Sequence, residues 1–77
     1  MPSSKVAKFT SYGKTSATDK EVSLWKSPDG TYQVTIEGYE ELTKGKNFTY
    51  DEAIDTLHAI RSMAERDWGH SDIEWLE

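Results

Sequence analysis

Apolar residues after Phe48 recur at Tyr50, Ala53, Ile54, Leu57, Ile60, Ala64 and Trp68, with Met63 at the margin, which is the three- and four-residue spacing of one helical face. The spacing predicts a helix, and its start is encoded locally. Thr49 and Glu52 make a capping box: the Thr49 hydroxyl accepts from the Glu52 N–H, and the Glu52 carboxylate accepts from the Thr49 N–H. Phe48 is placed to staple against Ala53. Asp51, Glu52 and Asp55 fall near the positive end of the helix dipole and Arg61 and Arg66 nearer its negative end. Gly69 is a left-handed stop just past Trp68.

Upstream the period changes to two. Residues 21–26 set Val22 and Leu24 on one face of a strand and Ser23 and Trp25 on the other. Ser27-Pro28-Asp29-Gly30 supplies turn chemistry: Pro presets its φ, Asp tolerates the turn and Gly accepts positive φ. Residues 31–37 then alternate strictly, with Tyr32, Val34 and Ile36 on one side, so the two strands form a hairpin. After Gly38, Tyr39-Glu40-Glu41-Leu42 either continues the second strand past a bulge or starts a third, and Lys44-Gly45-Lys46 is a turn before the helix.

The two ends of the chain are less patterned. Ser71-Asp72-Ile73-Glu74 resembles a second capping box while Ile73 and Trp75 alternate as in a strand, and a short helical turn is the expectation. Residues 1–20 form a polar, Lys-bearing arm in which 5–12 suit a short edge strand and 13–18 a loop. The fold class expected is α+β: a small antiparallel hairpin or three-stranded meander on one long helix, with residues 21–77 as a single domain and 1–20 as a flexible arm.

Size and charge narrow the function classes. A 77-residue chain leaves little room for a buried reaction chamber, and without Cys it has neither disulfides nor thiolate zinc sites. The absence of a signal peptide or a long apolar run points to a cytoplasmic protein with no membrane partner. Net charge is −5, unevenly spread: residues 1–20 carry four Lys against Asp19, whereas residues 21–77 carry five basic and thirteen acidic side chains, a balance of −8. That field repels phosphates and favours basic partners, although acidity also serves plain solubility.

Candidate chemistry is thin. Gly13-Lys14-Thr15 matches the tail of a phosphate-binding loop, but Lys8 stands where the first Gly belongs, so a solvated loop Lys is the plainer account. Ser11-Tyr12-Gly13-Lys14 and Ser23-Leu24-Trp25-Lys26 have Ser-x-x-Lys spacing, which activates a Ser only on a helix, and neither is on one. His58 and His70 have carboxylates nearby, with Asp67 and Asp72 flanking His70, yet a metal needs three or four convergent ligands and catalysis needs a partnered nucleophile. Asn47-Phe48-Thr49 fits a glycosylation sequon, but Thr49 is needed as the cap. The expectation is a non-enzyme without cofactor or metal.

Three Trp and four Tyr exceed what one hairpin and one helix need. Trp25 and Trp75 are candidate apolar anchors, and Glu40, Glu41, Asp51, Glu52 and Asp55 a candidate acidic surface able to occupy a basic groove. In size and charge, though in no motif, the chain resembles the inhibitors that phages and mobile elements direct at nucleases, polymerases or defence complexes, anti-CRISPR proteins among them. The resemblance implies a stoichiometric inhibitor that blocks a basic nucleic-acid-binding surface. Two rivals are a nucleic-acid binder using Lys5, Lys8, Lys14 and Lys20 with Tyr12 or Trp25 stacked on a base, and a self-associating structural subunit that buries its Trp residues.

Overall fold

The computed structural model describes residues 4–39, 41 and 45–76. Strand β1 (Ser4–Ser11) leads through a 3-10 turn (Ser16–Thr18) to β2 (Lys20–Lys26) and β3 (Tyr32–Ile36), followed by helix α1 (Tyr50–Arg66) and the two-residue β4 (Glu74–Trp75). The strands form one antiparallel sheet in the order β3-β2-β1-β4. The chain is therefore α+β, with a three-stranded meander that the helix carries across to a fourth strand at the opposite edge.

The hairpin follows its turn residues. Gly30 adopts a φ of 89° and donates to the Ser27 carbonyl at 3.0 Å, and Ser27 N–H takes the Thr31 carbonyl at 2.8 Å. This sets Leu24 opposite Val34 and Val22 opposite Ile36 on one face. Helix α1 covers that face, and Val6, Ala7, Phe9, Val22, Leu24, Val34, Ala53 and Leu57 make the core.

Segment 1–20 departs from expectation. Ser4–Ser11 is no arm or edge but an inner strand, hydrogen-bonded to β2 on one side and β4 on the other. The register slips between Lys5 opposite Trp25 and Ala7 opposite Leu24, so Val6 is an extra, bulged residue. A bulge lets two successive residues face the same side. Val6 and Ala7 are both buried, with Lys5 and Lys8 on the other face. That is why the segment lacks the clean alternation of a strand.

The C-terminal segment also differs: it is strand, not a helical turn. Ser71 Oγ accepts from the Thr10 N–H at 2.8 Å and Ser71 N–H donates to the Thr10 carbonyl, so Ser71 extends the sheet rather than capping a helix. The 39–42 segment lies largely outside the described residues, which include only Tyr39, whose N–H donates to the Ile36 carbonyl at 2.8 Å across the Glu37-Gly38 turn, and Glu41. The helix begins on the expected capping box, with Glu52 N–H to Thr49 Oγ1 at 3.3 Å and Thr49 N–H to Glu52 Oε1 at 3.0 Å. It ends with Gly69 at φ 90° donating to the Ala64 carbonyl at 2.7 Å.

The apolar stripe is only partly covered. Ala53, Leu57 and Ala64 are buried, whereas Tyr50, Met63 and Trp68 are exposed. The 17 residues of α1 span about 25 Å, close to the length of the eight-residue β1 and longer than the five-residue β3 that it packs on, so the helix start and end are less covered than its middle.

Candidate partner-binding surface

The exposed start of the helix carries the most distinctive surface. Tyr50 is the first residue of α1, and its ring meets that of Tyr32 edge-on, with centroids 5.3 Å apart and planes at 69°. Tyr32 is held by paired main-chain bonds to Phe48, each 2.8 Å, which also tie the helix entrance to the outer edge of β3. On the far side of β1, Trp75 pairs with Ala7 and thus faces the helix-bearing side, anchored where Leu76 N–H donates to the bulged Val6 carbonyl at 2.9 Å. Val6, Tyr32, Tyr50 and Trp75 together line a cleft of about 120 Å³. Trp75 and Tyr50 are each about half exposed, at 52% and 49%.

The acidic residues adjoin this cleft along the chain. Asp51, Glu52 and Asp55 are exposed, and Asp51 and Asp55 stand one turn apart on the same side of the helix. Glu52 is bonded back to Thr49, and its charge offsets the positive helix end. Glu41 is exposed, and Glu40 lies outside the described residues.

Trp25 occupies the opposite, helix-free face and is half-buried. Its Nε1–H donates to Thr35 Oγ1 at 2.8 Å, and the Lys5 ammonium stands 5.0 Å from its ring centroid. Beside it, Lys5 and Lys8 approach Glu21 Oε1 at 3.7 and 3.9 Å, and Lys8 approaches Glu74 Oε2 at 3.8 Å. The two predicted Trp anchors are therefore on different faces, and only Trp75 joins the helix start. The sequence pattern placed Tyr32 on the apolar side of the hairpin and Tyr50 on the apolar stripe of the helix and singled out neither as a site residue. The signal available was the hydroxyl at both positions, which suits a residue with one end in water.

A larger groove of about 370 Å³ lies under the other end of the helix, lined by Val22, Ile36, Ile60 and Met63 together with Lys20 and Asp67. The Lys20 ammonium lies 4.8 Å from the Tyr39 ring centroid. With one charge of each sign, this groove selects no particular ligand charge.

The chemical motifs resolve into local structure. Gly13 N–H donates to Asp19 Oδ1 at 2.8 Å and Thr15 N–H to Thr18 Oγ1 at 3.1 Å, which engages donors a phosphate would need. His70 packs edge-on against Phe9 at 5.9 Å, and its Nδ1–H donates to the Ser71 carbonyl at 2.7 Å. His58 is exposed on the helix. Among the described residues no three His, Asp or Glu are grouped to hold a metal ion, and no helix is long and apolar enough to cross a membrane. Asn47 is bonded to Gln33 at 3.1 Å. Comparison with protein-family models, curated proteins and solved structures finds no match to this chain.

Proposed function

We propose that this is a non-enzymatic protein-binding module, a stoichiometric inhibitor that occludes a basic, nucleic-acid-handling surface of a partner protein. The observation that carries the reading is the half-exposed aromatic cleft of Tyr32, Tyr50 and Trp75 at the acidic start of the helix. Interfaces are anchored by aromatic residues in such concave sites, while surrounding charge sets encounter rate and partner choice. Trp75 is the anchor in this reading. Trp25 is set aside because its polar end is bonded to Thr35 and Lys5 lies over its ring.

The nucleic-acid reading draws less support, since Lys5 and Lys8 face carboxylates and Lys20 stacks on Tyr39. The discriminating experiment is capture from nuclease-treated lysate by the tagged chain at low and high salt, with W75L and D51K/D55K in parallel. The expected outcome is one basic nucleic-acid-handling protein, released by salt, lost with either variant, and unable to bind its nucleic acid while the wild-type chain is bound. Capture undiminished in both variants, or a gel shift of nucleic acid by the isolated chain at low salt, would overturn the proposal.

A further inference from the structure

We infer that the cleft between Tyr32, Tyr50 and Trp75 is a cation-recognising cage, whose occupant is an arginine side chain of the partner. The inference deepens the occlusion reading and rests on it for the source of the arginine. Three aromatic residues, Tyr32, Tyr50 and Trp75, line one small space together with Val6, and two of them, Tyr32 and Tyr50, are in edge-on ring contact. Aromatic faces carry negative potential, and a planar guanidinium both stacks on them and is shed by water more readily than an ammonium. A space of about 120 Å³ admits one planar head group and little more.

Electrostatics favours the same occupant. The positive end of a helix dipole would by itself repel a cation from Tyr50. Here the first turn carries Asp51 and Glu52, and Asp55 follows one turn later. With the N-terminal strand built into the sheet, its Lys residues count toward the folded body, whose net charge is still −5. An anion would meet an aromatic lining and the negative charge of Asp51 and Glu52 in the same first turn. A neutral apolar side chain would gain the rings but nothing from the charge.

The test uses the isolated chain and two probes of one shape: ethylguanidinium and its neutral planar analogue ethylurea, both far below denaturing concentrations. The indole N–H signals of Trp25, Trp68 and Trp75 are assigned from single Trp→Phe variants and followed by NMR. Ethylguanidinium should move the Trp75 signal along a saturating curve while leaving Trp25 and Trp68 nearly still, and ethylurea should not. Y50L, at a half-exposed position, should retain the fold and weaken binding by about twofold to fivefold, the size of one exposed cation–π contact. Equal response to ethylurea, equal movement of Trp68 or unchanged affinity in Y50L would overturn the cage.

Failure of the cage and failure of the occlusion reading are separable. A saturable guanidinium response with no basic partner captured sustains the cage and removes occlusion. Capture of a basic partner with full affinity by W75L and Y50L sustains occlusion through the carboxylates and removes the arginine.

Discussion

The Trp25 indole N–H and the Thr35 hydroxyl are joined at 2.8 Å across β2 and β3, on the sheet face that the helix leaves open. A large aromatic on a wet face is thereby laid against the sheet, and Ser23 beside it is almost fully buried despite having no helix above it. T35V keeps the shape and removes the acceptor. It should lower stability by about 1 kcal/mol, a typical net value for one hydrogen bond, without altering partner capture. Urea unfolding of T35V, W25F and the double variant measures this coupling; strictly additive effects would show the bond contributes nothing.

The capping box at Thr49 and Glu52 determines where the helix starts. T49A removes the acceptor for Glu52 N–H and should destabilise by about 0.5–2 kcal/mol. In urea the midpoint should fall with an unchanged slope. Because Tyr50 is the next residue, T49A should also weaken the guanidinium response of Trp75 if fraying reaches the first turn.

Gly13 is held against the turn that follows it. A Cβ there would lie 2.6 Å from the Thr18 carbonyl oxygen and 2.7 Å from its carbon, and backbone cannot yield as a side-chain tip can. G13A should therefore cost about 1–3 kcal/mol by overpacking and break the Gly13–Asp19 bond. Thermal melts would show the loss, and faster amide exchange at Gly13 would locate it.

Asp29 gives an acid-side prediction. The Thr31 hydroxyl, 2.7 Å away, and then the Thr31 N–H at 3.0 Å hold its carboxyl below the usual carboxylate range. A depressed folded-state pKa means that the stabilisation is fully present above the unfolded-state value of about 4, and is lost as pH falls through the folded-state value. The stability difference between wild type and D29N should therefore shrink on acidification in that window. Urea midpoints of both proteins across it would reveal a constant difference if the Thr31 contacts were unimportant.

Leu57 is fully buried, and L57A should cost about 2–5 kcal/mol through lost transfer energy and a cavity. A domain of this size has about 3–5 kcal/mol in hand, so L57A should be largely unfolded by circular dichroism at room temperature. A cooperative melt close to wild type would mean that the core collapses around the smaller side chain.

Helix, hairpin and turn were legible in the sequence because their signals are local: a Thr-x-x-Glu box, Pro-Asp-Gly at a turn, period two over residues 31–37 and the spacing from Ala53 to Ala64. β1 was obscured because its bulge at Val6 breaks the alternation, and pairing to β2 and β4 on both sides supplies what the pattern lacks. β4 is only two residues long, too short for any periodicity, and exists because β1 offers it main-chain partners far upstream, Ala7 for Trp75 and Lys8 for Glu74. The candidate site divides in the same way. Sequence alone placed the carboxylates Asp51, Glu52 and Asp55 at the helix start, since the cap and the dipole act within one turn. That Trp75 rather than Trp25 joins them, with Tyr32 and Tyr50 as walls, was decided by tertiary structure: strand order and the pairing of Trp75 with Ala7 choose which aromatic side chains line one cleft on the helix-bearing side and stay open to water.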